Sequence, residues 1–183
     1  MTWVRRTASA LLALPLLALS ACSGEKPEPI MPTESASSSP EASEPAPTPE
    51  PWEAKTDDGA VAFVRHWFDL LNVARLEGET EPLLGVSTKD CATCNNVAEL
   101  AQRLHQPGGI YDSKPWQILQ ISSPTKYDPP AWQVAVRVLQ PAARVKLPDE
   151  KKVHETARGR KTLAATFFWR GDQWKMHEVA PVE

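Results

Sequence analysis

The chain has 183 residues, 42% of them apolar, with 18 prolines, three cysteines and a formal net charge of −3. This excludes a many-domain protein, and no internal repeat is visible; what remains is one globular domain long enough to bury a core. The small negative charge points to no particular partner and gives no reason to expect nucleic acid.

The chain opens MTWVRRTASALLALPLLALSAC. Arg5 and Arg6 make a positive start, Ala8 to Leu19 is an apolar run too short to span a bilayer stably, and small residues precede Cys22. That order is a secretory signal over residues 1–21 rather than a membrane span. Leu19-Ser20-Ala21-Cys22 also resembles the bacterial lipobox, which implies diacylglycerol on Cys22 and a place on the outer face of the cytoplasmic membrane. Two acyl chains anchor stably where one would be marginal. Residues 22–56 are rich in Pro, Glu, Ser and Ala, with almost no branched apolar side chains. Such a stretch cannot bury enough surface to offset chain entropy, so a disordered linker is expected.

The folded domain is expected over 57–183. Thr56 or Asp57 can cap a first helix, with Ala60, Phe63, Val64, Trp67, Leu71 and Ala74 as its apolar stripe and Gly78 as its stop. A short hook follows over TEPLLGVS. A second helix starts at the cysteine pair and runs to about Gln106, with Cys94, Val97, Leu100, Ala101 and Leu104 on one face. Beyond Pro107-Gly108-Gly109 the period falls to two. Trp116–Ile121 is a strand candidate, and Trp132, Val134, Val136 and Val138 share one face of another. Arg144–Leu147 and Lys151–Thr156 form a polar hairpin. The last hairpin turns at Gly171-Asp172, with Trp174 and Met176 opposite Lys175, His177 and Val179. Helices followed by antiparallel strands predict an α+β fold, the helices packed on one face of a curved, cone-like sheet.

Helical AFVRHWFDLLNVARLEGETEPL, then DCATC, a second helix and a meander ending FFWRGDQWKMHEVAP resemble an actinobacterial lipoprotein family, domain of unknown function 6318. The order of elements is also similar to the nuclear-transport-factor-2-like, cystatin-like topology. The resemblance implies the fold and no activity.

Three chemistries compete for Cys91 and Cys94. A zinc site needs about four ligands, yet Cys22 is assigned to lipid and the nearest histidine is His105. A thioredoxin-like centre needs a strand before the first cysteine within a βαβ unit, and helix and hook stand there instead. Outside the membrane the default is a disulfide, and residues three apart in a helical turn have Cα atoms about 5 Å apart, within bridging range. A structural staple is expected. No metal and no cofactor is expected. His66 and Asp69, three apart on the first helix, are the one acid/base pair that a pocket in the cone could use; a solvated helix face is the plainer reading. Arg144, Lys146, Lys151, Lys152, Arg158, Arg160 and Lys161 concentrate on and beside the polar hairpin. Their sharper reading is attraction to anionic lipid or cell-wall polymer, and their plainer one is protection of a strand edge. The function expected is a non-catalytic module binding a small apolar ligand or an envelope protein. The alternatives are an enzyme using His66 and Asp69, or a redox accessory using Cys91 and Cys94.

Overall fold

Helix α1 (Asp57–Glu77) carries the stripe that organises everything else: Ala60, Phe63, Val64, Trp67, Phe68, Leu71 and Ala74 are all buried. Its ends are set as its sequence predicts. The Thr56 side chain accepts the amide hydrogen of Gly59, and Gly78, at φ 81°, takes the left-handed turn that ends the helix. A computed structural model describes residues 48–127 and 130–182. Cys22, the signal segment and most of the predicted linker lie outside the described residues. Among those described, no helix is long and apolar enough to cross a membrane.

The packed chain begins earlier than residue 57. Pro51–Glu53 form a single 3₁₀ turn, Trp52 stacks on His66, and the Trp174 indole donates to the Ala54 carbonyl at 3.1 Å. The linker boundary expected at residue 56 is therefore corrected: Trp52 is a large apolar side chain with a surface to cover, unlike the Pro and Ser before it.

After the hook α2 (Glu81–Gly85) comes α3 (Ala92–Leu104), with Cys91 as its N-cap residue. Its buried face is Cys94, Ala98, Ala101 and Leu104, while Leu100 is 46% exposed. The expected face is thus rotated: small Ala98 goes inward, where α3 lies close to its neighbours, and bulkier Leu100 goes out.

Eight antiparallel strands follow: β1 (Ile110–Ser113), β2 (Gln117–Ile121), β3 (Thr125–Tyr127), β4 (Ala131–Gln140), β5 (Ala143–Lys146), β6 (His154–Thr156), β7 (Gly159–Arg170) and β8 (Gln173–Pro181). They pair as β1-β5-β6 and as β2-β4-β7-β8, with β3 on β4. Trp132, Val134, Val136 and Val138 of β4 all face the helices and are buried. Gly171 and Asp172, at φ 56° and 57°, form the final two-residue turn.

Two bulges reset the alternation. In β8 the partners step from Thr166–Glu178 to Phe167–Met176, leaving His177 as the extra residue. Val179 is thereby turned inward with Trp174 and Met176, where strict alternation places it with His177. In β2, Leu119 is the extra residue, so Ile118 and Ile121 both pack on the core and Leu119 stays 46% exposed.

The space between helices and sheet is filled by side chains. Trp67, Trp174, Phe63, Phe68 and Phe167 are each at most 2% exposed and belong to one cluster with Val134, Val136 and Met176. Trp67 meets Phe68 edge-on at 5.2 Å, and Phe63, Phe167 and Trp174 meet one another in tilted, edge-on and stacked pairs at 5.5 to 6.2 Å. Truncating such a ring leaves a cavity that its neighbours cannot close. Trp67→Ala is expected to lower unfolding free energy by about 3 to 5 kcal/mol, whereas the exposed Leu100→Ala should stay within about 0.5 kcal/mol. Urea titration of both variants checks this; a Trp67→Ala cost as small as that of Leu100→Ala would overturn the packing.

Candidate functional site

Three strand lines, β1/β2, β5/β4 and β6/β7, run through both strand groups and bend at a crease between them. Ser113 pairs with Ala143 and Gln117 with Leu139, in unbroken register across the gap; Gln140 pairs with Gly159 and Ala143 with Thr156, again without a slip. The crease falls where three strands stop pairing together, at Lys114–Trp116, Pro141–Ala142 and Ala157–Arg158. Pro115 and Pro141 explain its position, because a proline has no N–H to give to a ladder. Ser113 ties two of the three links, its hydroxyl lying 3.1 Å from the Lys114 carbonyl and 3.2 Å from that of Ala142.

A cleft of about 640 Å³ opens on this crease, a size typical of small-ligand sites. Ile118 and Val138 face the core and Tyr111 reaches Arg75 of α1, so alternation puts Asp112, Gln117, Leu139, Arg144 and Glu155 on the face turned from α1. These five line the cleft together with the crease residues Lys114, Pro115, Pro141, Ala142 and Arg158. Arg144 sits between two carboxylates in register across three strands, 3.8 Å from Asp112 and 3.8 Å from Glu155. These pairs are exposed and contribute little to stability. Lys114 and Arg158 have no carboxylate partner among the described residues.

A second, smaller cavity of about 70 Å³ lies among Arg75, Val97, Leu100, Ala101, Leu104 and Tyr111. Neither of these two cavities is lined by His66 or Asp69. The pair sits midway along α1. Trp52 covers the imidazole, ring centroids 4.1 Å apart and planes 6° from parallel, and Asp69 is exposed. Burial lowers the His66 pKa below its ordinary 6.5, against opposing pulls from Asp69 and Glu50.

Cys91 and Cys94 are joined in a disulfide with Cα atoms 5.3 Å apart. Both are fully buried in the core cluster. Attack on a disulfide needs access to a sulfur in line, and burial denies it. The bond lies between the hook and α3, where Thr88 N–H donates to the Met176 carbonyl at 2.7 Å and Cys91 N–H to Thr88 at 3.1 Å. Among the described residues no three His, Cys, Asp or Glu side chains gather as a metal site. The basic residues divide by place. Arg144 and Arg158 line the cleft, Lys161 approaches the Trp116 ring at 6.0 Å, and Lys151 and Lys152 stand in the loop before β6.

The crease and its cleft are not apparent in the sequence, where the strand pairing is unknown. Pro115 and Pro141, each flanking a short strand, are the signal the sequence carries, and Lys114 has no local pattern to mark it.

A family model described as "Family of unknown function (DUF6318)" matches residues 32–180. No curated protein matches the sequence. Among solved structures, the intermembrane space region of the chloroplast protein ARC6 is similar at 19% identity and TM-score 0.50, over 70% of this chain and 98% of that one. At that identity the likeness shows the fold alone. ActVI-ORFA from Streptomyces coelicolor (7% identity, TM-score 0.46, 68% of this chain and 96% of that one) is less similar. So is an NTF2-like protein from Anabaena variabilis (12%, 0.37, 70% and 91%). Neither of these two carries a further argument.

Two measurements check the placement of these residues. The folded state prefers neutral His66, so the unfolded chain takes up the proton first as pH falls. The His66 contribution to stability is therefore full above about pH 6.5 and lost as pH falls through the lowered folded value. His66→Phe should flatten this part of the profile, read as urea midpoints from about pH 7.5 to pH 5; an unchanged slope would refute the half-buried, Trp52-covered imidazole. The disulfide should resist mild reductant in thiol trapping across a redox buffer series. The Cys91→Ala/Cys94→Ala double variant should lose about 2 kcal/mol. Ready reduction, with Cys91 reactive as a thiolate at neutral pH, would make the pair a redox centre instead.

Proposed function

The chain belongs to the family of unknown function DUF6318, and from that premise we propose that it is a lipid-anchored, extracytoplasmic binding module whose ligand occupies the crease cleft. The observation that carries the reading is a contrast between two spaces. The interior of the cone is filled by Trp67, Trp174, Phe63, Phe68 and Phe167, while the cleft on the opposite face is open. A small apolar ligand inside the cone, as the sequence suggested, would have to displace that core. The same filling counts against an enzyme working from within the cone, and Trp52 lies over the candidate base His66.

The cleft has the composition of a binding site. Pro115, Leu139, Pro141 and Ala142 give apolar contact, and Gln117, Lys114 and Arg158 give a few polar groups. Its walls are creased β-structure, held by Ser113 and by ladders on both sides of the bend. Such a frame holds its shape without a ligand, which lowers the ordering cost of binding. The tether is read from LSAC at Leu19–Cys22 and the Pro/Glu/Ser/Ala stretch behind it, which would hold the domain at the outer face of the cytoplasmic membrane. An envelope protein remains the second class of partner for this site.

The anchor is tested by Cys22→Ser, which should release the protein or leave its precursor unprocessed; a fully processed, membrane-bound variant would sink that part. The site is tested by Ala142→Trp, an exposed crease position where an indole would fill the cleft. Untargeted mass spectrometry of natively extracted protein should find material enriched with the wild type and lost from Ala142→Trp. Equal recovery with both proteins would remove the cleft from consideration.

A further inference from the structure

We infer that the cleft takes a small amphiphile with an anionic head, a phosphate or a carboxylate, bound by Lys114 and Arg158, its apolar body lying on Pro115, Leu139, Pro141 and Ala142. This rests on the cleft being the binding site and adds the class of ligand.

The charges in the cleft are not equivalent. Arg144 stands 3.8 Å from Asp112 on one side and 3.8 Å from Glu155 on the other, and the three groups together carry one negative charge. Lys114 and Arg158 come from two different crease links, line the same space, and have no carboxylate within ion-pair distance among the described residues. The five charged side chains of the cleft therefore sum to one positive charge, and its two cations without a carboxylate at ion-pair distance are Lys114 and Arg158. Beside Lys114 and Arg158 a cationic group would be repelled, and a neutral apolar ligand would leave both charges unused. Pro115 and Pro141 have no N–H to offer, and the Ser113 hydroxyl is directed at carbonyls. The cations left to meet an anion are the two side chains.

The wider charge distribution agrees. Residues 50–99 hold ten Asp and Glu against four Lys and Arg, whereas residues 100–183 hold eight against thirteen. The helical part is acidic and the strand part basic, so an anion approaching the molecule is steered to the strands. Arg160 stands beside the cleft, paired across the ladder with Leu139, and extends the positive rim. The apolar walls set the other requirement: inorganic phosphate alone would leave Leu139 and both prolines without contact.

The experiment uses the full lipid-anchored chain in phosphatidylcholine nanodiscs, with calorimetric titration of n-butyl phosphate, butyrate, inorganic phosphate, n-butanol and n-butylammonium, and empty nanodiscs as blank. Butyl phosphate or butyrate should bind more tightly than inorganic phosphate or butanol, and binding should weaken with added salt. Lys114→Glu/Arg158→Glu should weaken it about tenfold or more. Lys151→Glu/Lys152→Glu changes net charge equally outside the cleft and should leave it within about twofold. Titration into discs containing phosphatidylglycerol separates the sources. Competition by those discs, lost in Lys114→Glu/Arg158→Glu, identifies a lipid headgroup, and its absence identifies a free amphiphile; either supports the anion class. If butylammonium or butanol binds best and Ala142→Trp blocks it, the cleft is a binding site and the anionic class is wrong. If the anionic probes bind equally to Ala142→Trp, or none of the five binds, the inference fails, and the co-purification result with Ala142→Trp decides separately whether the cleft binds at all.

Discussion

One buried hydrogen-bond chain holds this fold to a single arrangement. The Trp67 indole N–H lies in the centre of an apolar core and donates to the Ser87 hydroxyl at 3.2 Å, which donates onward to the Leu83 carbonyl at 2.7 Å. Left without a partner, a buried N–H of this kind costs about 1 to 3 kcal/mol. Shape alone would let α1 slide on the sheet; the indole's requirement does not. Ser87 is fixed from its other side by β8, through Val86 and Thr88 exchanging hydrogen bonds with Met176 at 2.9 and 2.7 Å. First helix, hook and last strand thus meet at Ser87, and the disulfide begins four residues further on.

The hook follows from that requirement. Five residues of α2 carry buried Leu83 inward and bring Ser87 under Trp67. The polar groups this buries are satisfied locally: Thr80 accepts from Gln102 at 2.9 Å, and Thr93 donates to the Val179 carbonyl at 2.9 Å. At the other end of α1, Asn72 holds Trp116 at both its backbone groups, at 2.8 and 3.0 Å. Trp116 ends the first crease link, so α1 positions the bend as well as the core. The cleft lies on the outer face of a sheet whose inner face is set by this helix.

That division of labour explains why a filled cone is compatible with binding. A core of large aromatic rings makes the sheet rigid and leaves no room within it, and recognition moves to the bend where ladder pairing lapses. Uncommitted polar and charged groups can stand there without disturbing the core. The N-terminal segment illustrates the same economy: Trp52 packs outside on His66, and the Trp174 indole finds its acceptor in Ala54 rather than inside the core.

Helix α1, ending at Gly78, was legible in the sequence with its start known to within a residue and only Phe68 missing from its named buried stripe, because stripe and caps are local signals of period 3.6. So were the inward set of β4, the Gly171-Asp172 turn, the α+β order of elements and the spacing that lets Cys91 and Cys94 bridge. Elements of three or four residues such as β1 and β3 carry too few positions for a period to show. The bulges at Leu119 and His177 were hidden as well, since an extra residue is visible only against its partner strand. His66 and Asp69 are neighbours by helical spacing, yet spacing says nothing about what lies above them, and Trp52 comes from a stretch whose composition reads as linker. The cleft is the extreme case. Lys114, Pro141 and Arg158 are far apart in sequence and come together only through strand register, and which cations stay uncommitted depends on Arg144 holding Asp112 and Glu155 across that register. Local pattern determines elements, while charges and cavities are shared between elements, so only the tertiary structure decided where a ligand could bind.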